Sequence, residues 1–203
     1  MKKLFLATNN EGKVLRFKML IKAIGLDFEI QSPSDFGLEN IDVEEKGVTL
    51  EENAKIKARA YFGKVDMPIL ANDTGFWVEG EGLVEAPKRT ALGNLNEKEL
   101  SKEEKAQAMI EFWGGIARKH GGKVPAAWVE TFVVLYPNGR AKIAHSRRDV
   151  ILTDCVFGEA HIEMPVRALY ISKATGKPAV LHSREEELIE MKPLIKALTE
   201  VLA

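Results

Sequence analysis

Short apolar stretches alternate with helical repeats through the first half of the chain, and this alternation constrains the fold more than any other feature. An apolar run at 4–7 is followed by apolar residues at helical spacing over 14–24. A hairpin signal, Pro137-Asn138-Gly139, appears only in the second half. Strands that alternate with helices build a sheet covered by helices, and the late hairpin adds antiparallel strands. We therefore predict an α/β fold with a mixed central β-sheet flanked by helices, in one domain spanning residues 1–203.

The individual elements follow from periodicity, turn residues and caps. Strands are predicted over 4–7, 28–31, 68–71, 76–79, 128–136, 141–150 and 166–171. Helices are predicted over 14–24 with a stop at Gly25, from a Thr49–Glu52 capping box, from a Ser101–Glu104 capping box to Gly114-Gly115, and from Arg184 onward with an interruption near Pro193. The acidic stretch 39–45 is predicted to be a loop.

Charge and composition narrow the classes of function. The 203 residues carry 29 basic and 30 acidic side chains, so the formal net charge is -1. A protein that binds nucleic acid through many phosphate contacts usually has a basic excess, so we expect no nucleic-acid partner. No apolar run is long enough to span a membrane. The one cysteine, Cys155, is expected to be a buried apolar residue, and a cytoplasmic location is expected.

The junction between the first strand and the first helix is a candidate phosphate site. Thr8 and Asn10 can donate hydrogen bonds there, and Lys13 adds a positive charge in the first helical turn. A helix N-terminus offers unpaired backbone N–H groups to an anion, whereas a lysine at that end is unfavourable for the helix itself. The segment is equally compatible with an Asn-capped helix that carries a solvated lysine.

Acidic residues form a second candidate group. Glu44 and Glu45 precede the second helix, and Asp73 follows the strand predicted at 68–71. Carboxylate oxygens suit Mg²⁺, which commonly binds one or two of them together with phosphate oxygens and water. The carboxyl end of a strand is also where α/β sheets open their ligand crevice. The alternative interpretation of Asp73 is a turn residue before Thr74-Gly75.

The second helix supplies a third group. Asn53 and Lys57 are four residues apart and therefore share a helix face. Lys57 is either a phosphate contact or a solvated lysine. None of the three groups is decisive alone, but their order along the chain is.

Three motifs in that order resemble the inosine triphosphate pyrophosphatase family, which hydrolyses aberrant purine nucleotides. Residues 7–13, Ala-Thr-Asn-Asn-Glu-Gly-Lys, are similar to the family's Thr-x-Asn-x-x-Lys loop. Residues 44–60 resemble its Glu-Glu-Thr-Gly-x-Thr-Phe-x-Glu-Asn-Ala-x-x-Lys-Ala-Arg motif. Residues 70–79 resemble Ala-Asp-Asp-Ser-Gly-Leu-x-Val-Asp. The resemblance covers roughly residues 3 to 80.

The resemblance implies a role for each matched residue. Thr8, Asn10, Lys13 and Lys57 would hold the triphosphate, and Asn53 would support that site. Glu45 and Asp73 would bind Mg²⁺, and Asp73 would also activate or position the attacking water. A nucleotide cleft between two lobes and a homodimer are implied as well.

The chain departs from the family pattern in its other motifs. Asn72 stands where the family has the first aspartate of its pair. The base-pocket motif Phe-Gly-Tyr-Asp-Pro is reduced to the proline at 165. The late Lys and Ser-His-Arg elements are echoed by Lys177 and by His182, Ser183 and Arg184, which are the remaining candidate substrate contacts. Ser183 is equally well explained as the N-cap of the last helical region.

The sequence therefore predicts Mg²⁺-dependent hydrolysis of a nucleoside triphosphate to its monophosphate and pyrophosphate. Because the base-pocket motifs are not retained, a modified nucleotide other than ITP or XTP is an open alternative. A second alternative is a nucleotide-sensing protein of the same fold with weakened catalysis, which is motivated by Asn72.

Overall fold

A computed structural model describes residues 2–97 and 99–203. The strands are β1 (Lys2–Leu6), β2 (Phe28–Gln31), β3 (Ile69–Val78), β4 (Gly82–Glu85), β5 (Lys123–Leu135), β6 (Ala141–Thr153) and β7 (Tyr170–Ser172). The α-helices are α1 (Glu11–Ala23), α2 (Leu50–Tyr61), α3 (Pro87–Leu92), α4 (Lys102–Lys119), α5 (Arg184–Glu190) and α6 (Lys192–Leu202). Short 3-10 helices span Pro33–Phe36, Pro165–Leu169 and Ala179–Leu181.

The strands form one mixed sheet, as predicted. Its order is β2-β1-β3-β5-β6-β7, with β4 paired to β3. Strand β1 pairs in parallel with β2 and β3, whereas β3 pairs with β4 and β6 pairs with β7 in antiparallel fashion. The turn at Pro137-Asn138-Gly139 joins β5 to β6, and the Tyr136 N–H donates to the Arg140 carbonyl at 2.9 Å.

The chain divides into two compact units. The first consists of Met1–Asp73, Glu130–Ser146 and Leu194–Ala203, and the second of Thr74–Val129 and Arg147–Pro193. The core of the first unit packs α2 against the sheet through Ala54, Ala58 and Tyr61. The core of the second surrounds the fully buried Trp113 of α4. The single domain and the cleft between two lobes stay predictions.

Helix α4 is longer than predicted, and the expected stop at Gly114-Gly115 is wrong. The helix continues through both glycines because Trp113 and Ala117 are buried on one face. Burying a Trp side chain outweighs the cost of about 0.5–1 kcal/mol that each interior glycine brings. The helix ends at Lys119 with His120 as its C-cap, and it is followed by Gly121 and Gly122, whose φ angles of 78° and 92° are left-handed.

Two further predictions need correction. The strand expected over 166–171 is a 3-10 helix, Pro165–Leu169, followed by the short strand β7, because a buried apolar run does not itself distinguish the two. Cys155 is exposed rather than buried.

The helical tail does break before Pro193 as predicted, between α5 and α6. Across residues 2–97 and 99–203, none of the helices combines the length and the apolar character that crossing a bilayer requires.

Candidate functional site

The N-terminus of α1 is shaped by the two polar residues that the sequence singled out. Asn10 is the N-cap, and its side-chain oxygen accepts a hydrogen bond from the Lys13 N–H at 2.9 Å. The Thr8 hydroxyl oxygen accepts from the Asn10 N–H at 3.2 Å and retains its own hydrogen for donation. The loop and the first helical turn are therefore held in one conformation at a helix end that favours anions.

Lys13 is the cation at this helix end. Burial lowers the pKa of its ammonium to about 8, and the nearby positive charges of Lys57 and Arg16 contribute to that decrease. The carboxylates of Glu130 and Asp73 act in the opposite direction. Within residues 2–97 and 99–203 the Lys13 ammonium forms no ion pair. It is a mostly protonated cation at neutral pH, near two other cations and available to an anionic ligand.

Lys57 joins the two predicted metal ligands. Its ammonium lies 2.6 Å from Asp73 Oδ1 and 3.1 Å from Glu45 Oε2. The exposed fractions of the three side chains are 13% for Lys57, 8% for Asp73 and 24% for Glu45. Lys13, Lys57, Glu45 and Asp73 are thus brought together in the first unit, with two carboxylates facing one ammonium.

The loop that carries Glu45 is fixed by the start of α2. Buried Asn53 accepts a hydrogen bond from the Gly47 N–H at 2.9 Å. A Cβ atom on Gly47 would lie 2.6 Å from the Cβ of Glu52 and 2.8 Å from Asn53 Oδ1, so a larger residue does not fit. Asn53 therefore acts on the site through the loop two residues after Glu45.

The capping arrangement at Thr49 differs in part from the prediction. The Thr49 hydroxyl accepts from the Glu52 N–H as expected. The Glu52 carboxylate accepts from the Val48 N–H at 2.7 Å instead of from the N-cap residue. The reciprocal bond therefore ties down the loop before α2.

Asp73 does not end a strand and is not in a turn, so both sequence-based placements are wrong. Strand β3 continues from Ile69 to Val78 through Asn72, Asp73 and Thr74. Asp73 lies after the parallel pairing, which ends at Leu70, and before the antiparallel pairing, which begins at Gly75. Its side chain therefore reaches Lys57 from within the strand, in the interval between these two pairings.

A buried network next to this site was missed by the sequence analysis. Arg16 of α1 donates to both carboxylate oxygens of Glu130 in β5, at 2.7 and 3.4 Å. The Asn72 amide donates to Glu130 Oε2 and to the Thr131 carbonyl, each at 3.3 Å. Glu130 is fully buried, and Asn72 is 5% exposed. One signal was available, because Glu130 is a charged residue in the middle of a mostly apolar strand.

The late candidates lie in the second unit, where local contacts account for most of them. Ser183 is the N-cap of α5, which confirms that interpretation, and the Lys177 ammonium pairs with Glu186. The fully buried His182 side chain contacts the Thr175 hydroxyl at 2.8 Å and a Glu190 oxygen at 3.1 Å. Arg184 begins α5 and is exposed. Their roles as substrate contacts stay predictions.

The donor set around Lys57 fits a magnesium ion in its chemistry. Among the residues that the structure describes, no group of three or more His, Cys, Asp or Glu side chains converges as a metal cage. Glu45 and Asp73 nonetheless direct carboxylate oxygens at the single cation of Lys57. Mg²⁺ ordinarily takes one or two carboxylates and completes its shell with substrate phosphates and water.

Comparison of the sequence with known proteins identifies a family. The sequence model of the Ham1 family matches residues 4–145. A dITP/XTP pyrophosphatase from Bacillus licheniformis is 32% identical over 152 residues, which cover 68% of this chain and 76% of the relative. A dITP/XTP pyrophosphatase from Aquifex aeolicus is 43% identical over 77 residues, 38% of this chain. The chain spans 35% to 51% of the length of that relative and several others.

The fold agrees with solved structures. A HAM1 protein from Coxiella burnetii superposes with a TM-score of 0.73, at 20% identity, over 100% of this chain and 98% of that one. At this identity the likeness concerns the fold alone. The extent of the family match, together with the Bacillus licheniformis relative, shows that the chain belongs to the Ham1 family.

Proposed function

We propose that the protein hydrolyses a nucleoside triphosphate to its monophosphate and pyrophosphate with Mg²⁺ as cofactor. The observation that carries this proposal is the arrangement around Lys57. Its ammonium is shared by Glu45 and Asp73, and the Lys13 ammonium lies close enough to have its pKa lowered by Lys57. Cations for a polyphosphate and carboxylates for a divalent ion are thus combined in one place.

Glu45 and Asp73 would hold Mg²⁺. There the ion would supply positive charge to the phosphate oxygens while water adds to one phosphorus of the α–β anhydride and the bond from that phosphorus to the bridging oxygen breaks. Phosphoryl transfer depends largely on positioning and on charge neutralisation, which two lysines and two carboxylates can supply without a covalent intermediate.

The other residues have roles that follow from their contacts. Thr8 and Asn10 set the conformation of the loop at the N-terminus of α1, where the phosphates would bind. Lys13 and Lys57 would pair with the phosphate oxygens. Asp73, which is held by Lys57 at 2.6 Å, would orient the attacking water and accept its proton.

The substrate class is proposed from the relatives. Several are named dITP/XTP pyrophosphatase, which supports an aberrant purine nucleotide as the substrate. The altered base-pocket motif at residues 162–165 leaves the choice of base open, since ring-edge hydrogen bonds set such discrimination. A homodimer, a cytoplasmic location and the absence of a nucleic-acid partner stay predictions.

A substrate panel tests the proposal. The purified protein is mixed with standard, deaminated and modified nucleoside triphosphates, and pyrophosphate release is followed with Mg²⁺ and with EDTA. The expected result is release that requires Mg²⁺ and is fastest for one nucleotide class. Inactivity of a folded preparation on the whole panel would sink the enzymatic proposal.

A nucleotide-sensing role is the second candidate, and the specific observation that favours it is Asn72. The family motif has an aspartate there, and the chain has a neutral amide turned toward Glu130. Calorimetry distinguishes the two functions: tight nucleotide binding without turnover supports sensing, whereas turnover at rates of about 1 s⁻¹ or more supports the enzyme.

A further inference from the structure

The network of Arg16, Asn72 and Glu130 connects the two elements that carry the candidate site. Arg16 lies one helical turn after Lys13 on α1, so its contact with Glu130 anchors the end of the helix that bears Lys13. Asn72 immediately precedes Asp73 in β3, so its contact with Glu130 anchors the strand that bears Asp73. One carboxylate on β5 therefore holds both.

The two neighbouring residues of β3 serve opposite faces of the sheet. Successive side chains of a strand point to opposite faces. Asp73 contacts Lys57 of α2, whereas Asn72 contacts Glu130, which contacts Arg16 of α1. The side chain of Asn72 is therefore directed at Glu130 rather than at the Asp73 carboxylate, although Lys13 lies within electrostatic range of both Glu130 and Asp73.

Stability alone is a weak explanation for such a network. Burying an ion pair costs solvation that its attraction only partly returns, and apolar residues of similar volume are often as stable. Glu130 is nevertheless fully buried within an apolar strand, and both of its oxygens accept from Arg16. Buried ionic groups are best attested as devices that fix one arrangement of the elements they join.

We propose that Glu130 supplies from β5 the carboxylate that position 72 lacks, and that it positions the phosphate-binding end of α1 against β3. In this role Glu130 is a positioning residue that acts through Arg16 and Asn72. The proposal rests on the proposed function, because it assumes that Lys13 and Asp73 act on the same polyphosphate.

The test first removes the carboxylate of Glu130 and then returns a carboxylate at position 72. Glu130→Gln is expected to lower kcat/KM and the affinity for metal-free tripolyphosphate, with a loss of up to about 100-fold in kcat/KM, as for a misplacement of about 1 Å. The double variant Asn72→Asp with Glu130→Gln returns the carboxylate to the family's position. It is expected to recover to within about threefold of the wild type, a difference worth under 1 kcal/mol.

A second double variant separates positioning from stability. Arg16→Met with Glu130→Met removes both charges and is expected to keep a cooperative thermal transition. If the network positions the site, tripolyphosphate affinity stays reduced in this folded protein. The control is Glu187→Gln in the second unit, which removes the partner of the equally buried Arg167, although Glu187 is 25% exposed and Glu130 is 0% exposed. That control is expected to bind tripolyphosphate like the wild type.

Two results would overturn the inference: wild-type affinity and kcat/KM in the Arg16→Met, Glu130→Met protein, or a Glu130→Gln loss that Asn72→Asp does not recover. Both presuppose a wild type that binds tripolyphosphate and releases pyrophosphate from its nucleotide. A wild type that does neither contradicts the proposed function instead, so the two failures are distinguishable.

Discussion

The two sides of strand β3 hold charges in different ways. On the side of α2, two partly accessible carboxylates face the one ammonium of Lys57. On the side of α1, the fully buried Glu130 faces the guanidinium of Arg16, and the Asn72 amide completes the network. In the first arrangement two carboxylates share the ammonium of Lys57, with Lys13 as a second cation nearby, whereas in the second one carboxylate faces one guanidinium. The difference indicates that the cluster around Lys57 binds a ligand, whereas the pair of Arg16 and Glu130 fixes the position of α1.

The largest effect on activity is expected for substitution of Asp73. Replacing Asp73 by Asn keeps the shape of the side chain but removes the charge that Lys57 and the metal would share. We expect the rate of pyrophosphate release to fall by about 1,000-fold while the fold is retained, as for the loss of a general base. Asp149→Asn is the control, because Asp149 forms an exposed pair with Arg147 and should leave the rate unchanged.

Substitution in the pair of Arg16 and Glu130 should lower the free energy of unfolding. Arg16→Met leaves the buried Glu130 carboxylate without its cation, and the free energy of unfolding should fall by about 3–5 kcal/mol. Urea denaturation measures this change. Glu163→Gln removes an exposed partner of Lys102 and should cost under about 1 kcal/mol. Equal losses in the two variants would show that the buried network contributes no more to stability than an exposed ion pair.

The loop that carries Glu45 can be displaced without changing any charged group. Gly47→Ala places a Cβ 2.6 Å from the Cβ of Glu52, so the loop must shift and Glu45 moves away from Lys57. The apparent affinity for Mg²⁺, measured from activity against Mg²⁺ concentration, should fall by about 10- to 100-fold. Gly115→Ala in α4 has room for its methyl group and should not alter the Mg²⁺ dependence.

The smallest effect is a pH dependence set by Lys13. Its pKa is lowered to about 8, and only the protonated ammonium attracts a polyphosphate, so kcat/KM should decrease as the pH rises through 8. Between pH 7 and pH 9 the protonated fraction falls by about tenfold, and kcat/KM should follow. Lys13→Arg should remove this alkaline decrease, because a guanidinium does not titrate below about pH 12. An unchanged alkaline decrease in that variant would assign it to another group.

Local sequence patterns predicted much of the fold and the cluster of charged residues around Lys57. Lys13, Lys57, Glu45 and Asp73 became candidates because each lies near a predicted cap, helix face or strand, and their roles came from the resemblance of three motifs to a known family. The structure joins Lys57 directly to both carboxylates and couples Lys13 to Lys57 electrostatically.

The network of Arg16, Asn72 and Glu130 could not be predicted in the same way. Arg16 and Glu130 are 114 residues apart, and their contact depends on the sheet order β1-β3-β5, which no local pattern contains. The continuation of β3 through Asp73 was missed for a related reason. Turn-forming residues such as Asn72 and Asp73 are tolerated in a strand when tertiary contacts to Glu130 and Lys57 satisfy their side chains.

The most direct test is a crystal structure with Mn²⁺ and a nucleoside triphosphate whose α,β bridge resists hydrolysis. The account predicts anomalous density for Mn²⁺ bound to the carboxylates of Glu45 and Asp73, with phosphate oxygens against Lys13 and Lys57. A nucleotide bound elsewhere, with Lys57 still bridging an undisturbed Glu45 and Asp73, would contradict it.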